Sequence, residues 1–477
     1  MNAKVGGALV SISWVLLTAA GCEGSGEVIA APESLGAEGA ALLATPAVLK
    51  LGALDDPGTT PLYGAAVRLA AAQMNEALRR LHAGLQFQIA FGDDHGNTPA
   101  LARAETLRLL NDERVLAMVS DSSGDTIQVN RLNYDPASPA PYAVPVVCYQ
   151  CSSGFINDPT AVDPDPISQA ALRDADNWLF RIFYNANFEA KVIDQIILAK
   201  PNLGDRNGDG KLKLSIYADG GHVSLANAIG PTLSLYFGGV TSVETIFLSS
   251  QANMAAEWAR VVDDINESAG GVTDGEPDYV VMAMLPVNVT AAVQAYRAGN
   301  FTLPIVSNNS FRRNYILPLV GEGANGLEGS SIALANTSPS GQLFIDAFQA
   351  ANGGQGPEQT SAGAYDATAT LMLAALVAAK DAHGVANVTP AGIRAALSRI
   401  NDPHGVKIRP AVAGFALAAV LALVGVPLNY DGAYNADDWN AVGDIFPPLV
   451  HWTVESNAFV EHEAYGCDPD HPLCPAQ

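Results

Sequence analysis

Basic residues are scarce in this chain. Its 477 residues hold 25 Lys and Arg against 49 Asp and Glu, a net charge of −24. That balance argues against nucleic acid or an anionic membrane surface as a partner, because both require basic patches. A small anionic ligand remains compatible, since a few local dipoles outweigh a distant surface charge. Catalytic motifs are missing as well: the eight histidines are scattered, with no H-E-x-x-H and no G-x-S-x-G. No nucleophile stands beside a base at a recognised spacing, so no catalytic residue is assigned. Charged residues make up only 16% against 49% hydrophobic, the make-up of a globular protein rather than a disordered one. The length suffices for two lobes with full cores.

Cysteine is sparse too, at five, and the five sort by position. Lys4, the apolar stretch Val5–Leu17 and Ala19-Ala20-Gly21 describe a secretory leader over residues 1–21. Cys22 follows the cleavage site directly, which resembles a lipobox with Cys22 as the lipid-bearing residue. Ala19 departs from that pattern, where Leu is usual, and an ordinary leader with an incidental cysteine is the alternative. Residues 22–47, rich in Gly, Ala, Glu and Pro, read as a flexible tether. Cys467 and Cys474 are expected to clamp the tail, residues 466–477, with a disulfide. Cys148 and Cys151 either bridge likewise or remain two buried thiols; no second pair at zinc spacing accompanies them.

From Val48 onward, short apolar runs alternate with helical periodicity, the pattern of a parallel α/β sheet. Two of these runs, Leu116–Val119 and Val144–Val147, end in small polar loops, Ser120–Thr126 and Cys148–Ser153. Adjacent parallel strands ending this way put their carboxyl ends at one crevice, where backbone N–H groups and hydroxyls suit a carboxylate. Val412–Val426 is a continuous apolar run, but it is short of the roughly 20 residues a bilayer span needs, and Pro410 and Pro427 bracket it. A buried helix is expected there.

Several landmarks occur in a telling order: Leu49-Lys50-Leu51-Gly52, Tyr63-Gly64, Ser122-Ser123-Gly124-Asp125-Thr126, Val144-Pro145-Val146-Val147 with Cys151-Ser152, Phe180-Arg181, Ala364-Tyr365-Asp366-Ala367 and Asn429-Tyr430-Asp431-Gly432-Ala433. Together they resemble the type I periplasmic binding proteins of branched-chain-amino-acid-type ABC importers. The resemblance implies two Rossmann-like lobes, each a parallel sheet flanked by helices, joined by a three-crossover hinge around a central cleft. Lobe one would comprise residues 48–180 and 334–425, and lobe two residues 181–333 and 426–465. The implied protein is an exported, lipid-anchored solute carrier that captures a small molecule by hinge closure and hands it to an ABC permease. A sensing receptor with the same cleft is the alternative, and an exported hydrolase a more distant one.

By the same resemblance, the ligand carboxylate meets Ser122, Ser123, Cys151 and Ser152, with Tyr63 nearby. Lobe two would contribute His222, Met284 and Asn309, at places where the family carries two Tyr and an acid. Losing that acid speaks against a zwitterionic amino acid, because a buried ammonium without a carboxylate is costly. The expected ligand is therefore a carboxylate or amide without a free α-ammonium group.

Asp205-Arg206-Asn207-Gly208-Asp209-Gly210-Lys211 places oxygen side chains as a calcium loop does, though the acid of an EF-hand's last position is absent. Two readings stay open: a solvated turn, or a structural calcium held by Asp205, Asn207, Asp209 and the Lys211 carbonyl, with Glu276 as a remote ligand. No other cofactor is expected. Gly321-Glu322-Gly323-Ala324-Asn325-Gly326 fits G-x-G-x-x-G but lacks the preceding strand a dinucleotide site needs.

Overall fold

The computed structural model describes residues 46–55, 61–94, 98–137, 142–206, 210–219, 222–229, 241–248, 277–299, 302–313, 315–333, 338–434 and 439–465. The leader, Cys22, the tether up to residue 45 and the Cys467–Cys474 pair lie outside the described residues, and Ala47, expected in the tether, already belongs to the first strand.

A five-stranded, wholly parallel sheet forms the first lobe. Its strands are β1 (Ala47–Asp55), β2 (Leu85–Asp93), β3 (Met118–Ser120), β4 (Val146–Cys148) and β5 (Leu179–Arg181), in the order β2-β1-β3-β4-β5. Both faces are covered, which is why the strands read as apolar runs rather than as polar alternation. Successive residues go to opposite sides: Val119 and Val147 join one core, Met118, Val146 and Cys148 the other. The larger core is built on helices Pro61–Arg80, Ser361–Asp381 and Val412–Val424. Helix Ser361–Asp381 is long and apolar enough to cross a membrane, yet it is buried from Ser361 to Ala379 among its neighbours. Val412–Val424 is likewise a core helix, with Phe415, Ala418 and Ala419 inward.

The second sheet runs β14-β13-β10-β9-β8-β6-β7. Strands β6 (Leu212–Asp219), β7 (Thr241–Leu248), β8 (Tyr279–Ala283), β9 (Ile305–Ser307) and β10 (Glu328–Ile332) are parallel. An antiparallel hairpin of β13 (Leu449–Glu455) and β14 (Ala458–Tyr465) extends that sheet beyond β10. The chain passes between the sheets three times: after β5, after β10 and before β13.

The last passage comes later than the sequence suggests. β11 (Val406–Ile408) and β12 (Leu428–Tyr430) pair in parallel, and Leu428 and Tyr430 pack in the lobe-one core. Residues 428–434, expected in lobe two, therefore lie with lobe one. The reason is Asp366, a buried carboxylate that accepts the Tyr430 hydroxyl (2.8 Å) and the N–H groups of Ala433 (2.8 Å) and Tyr434 (2.7 Å).

Candidate ligand-binding cleft

The two strand tips of lobe one do meet. Ser122 caps helix Ser123–Tyr134, accepting the Asp125 N–H at 3.2 Å and donating to the Asp125 carboxylate at 2.6 Å. One residue on, the Ser123 hydroxyl accepts the Ser153 N–H at 3.2 Å, and Tyr149 N–H donates to Ser120 C=O at 3.1 Å. The second loop is stapled by a disulfide between Cys148 and Cys151. Beneath it lies Arg181, 1% exposed, in a two-pronged pair with Asp444 (2.5 and 2.6 Å). The same guanidinium donates to the carbonyls of Ser153 (2.8 Å) and Ile156 (3.0 Å). Gly443, at φ +82°, brings its carbonyl to the Arg181 N–H at 2.9 Å; an added Cβ there would press on the Leu179 carbonyl at 2.7 Å.

Lobe two approaches across this floor. Gly154 N–H donates to Ser224 Oγ at 3.2 Å, joining the lobe-one loop to helix Val223–Ala228. Just before that helix, His222 Nδ1 lies 2.9 Å from Asp219, and its Nε2 lies 3.5 Å from Ser310 Oγ. Burial acts to raise the Asp219 pKa, but His222, the Leu285 N–H and Asn288 together hold that carboxyl below its usual range. Glu189, 1% exposed, accepts the Asn309 N–H (2.8 Å) and the Ser330 hydroxyl (3.1 Å). Burial pushes its pKa up to about 7, against the pull of the Asn309 N–H, His222, Ser330 and Tyr184.

Two adjacent arginines follow β9, and they have opposite fates. Arg312 is fully engaged, with Ser331 Oγ at 2.6 Å, Ile332 C=O at 3.0 Å and an ion pair to Glu461. Arg313, 6% exposed, donates through its side chain only to Gln359 Oε1 (2.9 Å) among the described residues. Its charge instead acts on the phenols of Tyr63, Tyr315, Tyr434 and Tyr184. Tyr63 comes from lobe one, Tyr184 from the first crossing, and Tyr434 from the stretch that Asp366 ties to lobe one. Gln150 closes the lobe-one side by donating to Thr360 Oγ1 (2.9 Å) and the Tyr63 hydroxyl (3.3 Å). The Tyr434 hydroxyl is buried with no hydrogen-bond partner among the described residues. A permanently charged guanidinium with one hydrogen bond among the described residues, its field reaching four phenols, is equipped to grip a carboxylate with two hydrogen bonds.

Comparison with known proteins agrees with this layout. A family model described as periplasmic binding protein matches residues 232–411. No curated protein sequence matches the chain. Among solved structures, a leucine-binding protein from Thermotoga maritima superposes with a TM-score of 0.61 at 15% identity, covering 87% of this chain and 98% of that one. A branched-chain amino acid transporter substrate-binding protein from Streptococcus pneumoniae, in complex with isoleucine, gives 0.58 at 16% identity over 88% and 100%. A solute-binding protein of an ABC transporter from R. palustris, in complex with benzoate, gives 0.59 at 13% identity over 90% and 99%. The chain has the type I periplasmic binding protein fold.

Within this periplasmic binding protein fold, the residues nominated from sequence separate into two groups. Tyr63, Ser122, Ser123, Cys151 and Ser152 come together at the lobe-one tips, although Ser122 is occupied as a helix cap and the Ser152 carbonyl is bound by the Ala186 N–H at 2.6 Å. His222 and Asn309 converge around Glu189 and Ser310. Met284 does not line the cleft but is fully buried in a lobe-two core with Tyr217, Val289 and Phe311; an apolar residue one step past β8 completes that core. Nor is lobe two without an acid, because Glu189 supplies one on a helix whose register no local motif reveals. Arg313 and Tyr434 were likewise missed. An Arg-Arg pair directly after a strand tip, in a chain short of basic residues, was the available signal. In the Asp205 loop, Asp205 accepts the Gly210 N–H at 2.8 Å, a bond that a solvated turn makes as well; Lys211 lies just beyond. Asn207, Asp209 and Glu276 lie outside the described residues.

Proposed function

We propose that this protein is an exported solute-binding component that closes over a small organic carboxylate lacking an α-ammonium group and presents it to an ABC permease. The observation carrying this reading is Arg313, a buried cation between the lobes whose side chain makes one hydrogen bond among the described residues and whose charge acts on four tyrosine phenols. Glu189 is a poor counter-charge for an ammonium, since its proton is half retained near neutrality and its carboxylate already serves Asn309 and Ser330. Aromatic acids suit the phenol-lined walls best, and the solved relative in complex with benzoate lends support to that choice. Cys22 would carry the lipid that holds the protein at the outer face of the inner membrane or at another exported surface. A carrier of this kind needs no catalytic centre.

A thermal-shift and calorimetric screen tests the ligand class. Benzoates and branched aliphatic acids are expected to raise the melting temperature, while the matching amino acids leave it unmoved. Arg313→Met should weaken the binding at least 30-fold, about 2 kcal/mol, the lower end of the loss when one partner of a buried charge pair is removed. Stabilisation by zwitterionic amino acids alone, or undiminished binding by Arg313→Met, would refute the proposal.

A further inference from the structure

Lobe one hides a second polar centre, apart from the tyrosine-ringed arginine. Asp94 follows the end of β2, Asp121 follows β3, and Asp125 sits in the first turn of helix Ser123–Tyr134. Their exposures are 0, 4 and 0%, and their carboxylate oxygens lie within 4.8 Å of one another. Crowding three carboxyl groups out of water is unfavourable unless something positive or a proton joins them. Asp121 Oδ1 and Asp125 Oδ1 are both buried with no hydrogen-bond donor among the described residues. Asp125 presents its other oxygen to Ser122, so its free atom is the one left for a further partner.

A buried, all-carboxylate set suits calcium, which takes several protein oxygens in flexible geometry, better than magnesium, which dehydrates reluctantly and keeps several waters. We propose that Asp94, Asp121 and Asp125 bind one calcium ion at the strand tips of lobe one. The ion ties the ends of β2 and β3 to the helix that begins at Ser123, whose hydroxyl meets the Ser153 N–H. It therefore sets the loop on which the ligand floor rests, without itself touching the ligand. This site is separate from the Asp205 loop in lobe two and does not depend on what the cleft binds.

The test uses the mature chain stripped with chelator and titrated with calcium chloride or magnesium chloride, followed by calorimetry and melting. Calcium at a hundredfold excess over its dissociation constant should raise the melting temperature by about 5 °C or more. Asp205→Ala should keep that response; Asp121→Asn combined with Asp125→Asn should lose it while retaining a native circular dichroism spectrum. Should the double variant fail to fold, Asp121→Asn alone is expected to weaken calcium binding at least tenfold. Terbium offers an independent readout, because the buried Tyr149 phenol is near enough to feel the Asp121 charge and should sensitise its emission, and Tyr149→Phe should dim it. The proposal fails if the wild type shows no calcium heat and no shift, if magnesium acts equally well, if the asparagine variants respond as the wild type does, or if Asp205→Ala alone abolishes the effect.

Discussion

Replacing Arg181 by Met probes the joint between the ligand floor and the hinge. The side chain is 1% exposed and its partner Asp444 7%, so the pair is shielded from solvent and salt. Among the described residues, Arg181→Met leaves the Asp444 side chain with the Asn157 amide (2.9 Å) and removes the guanidinium's bonds to the carbonyls of Ser153, which keeps the Ile156 N–H at 3.4 Å, and Ile156. Breaking a buried pair from one side costs about 3–5 kcal/mol. Loss of the two carbonyl bonds places Arg181→Met at the upper end of that range. At about 2–4 °C per kcal/mol for a unit of this size, the melting temperature should fall by roughly 10 °C or more. The companion Asp444→Leu should also be severe, whereas the double variant should recover about 2–3 kcal/mol of the summed loss, because no lone charge remains buried. Denaturant titration followed by circular dichroism measures all four corners of the cycle. A loss below about 1 kcal/mol for Arg181→Met, or simple additivity in the double variant, would refute the reasoning.

Two further outcomes follow from named groups. Glu189 holds its proton to about pH 7 in the folded chain but only to about 4.5 when unfolded, so its contribution to stability declines as pH rises through that window and is level above it. Glu189→Gln should remove up to about 3 kcal/mol of that decline, read as the wild-type minus variant difference between pH 5 and pH 8; parallel curves would contradict it. Cys22→Ser should move the exported protein from the membrane pellet to the soluble fraction, and a variant that stays with the membrane would dismiss the lipid anchor.

How much of this was legible beforehand depended on whether a signal was local. Val119 and Val147 sit in strands that end abruptly at Ser-rich turns, and that pattern alone placed two adjacent tips at one crevice. The strand ends moved by one or two residues, since pairing with neighbours rather than composition decides where a ladder stops. Helix Ser361–Asp381 showed its type but not its depth, because an apolar helix with no polar stripe reads alike whether buried in protein or elsewhere. The decisive cleft residues came from long range. Glu189 stands between Phe188 and Ala190 and resembles any solvent-facing acid until Asn309 and Ser330 close on it from 120 and 141 positions away. Arg313 looks interchangeable with Arg312 in sequence; only the packing of Ser331 and Glu461 against one of them leaves the other available. Met284 shows the converse error, a position carried over by analogy whose side chain the core had already claimed.

The covalent link between Cys148 and Cys151 spans three positions at the turn whose Ser153 carbonyl receives the Arg181 guanidinium. Such links form only where the surroundings are oxidising. On the export route proposed above, the turn would therefore stay unstapled until the chain had left the reducing interior of the cell.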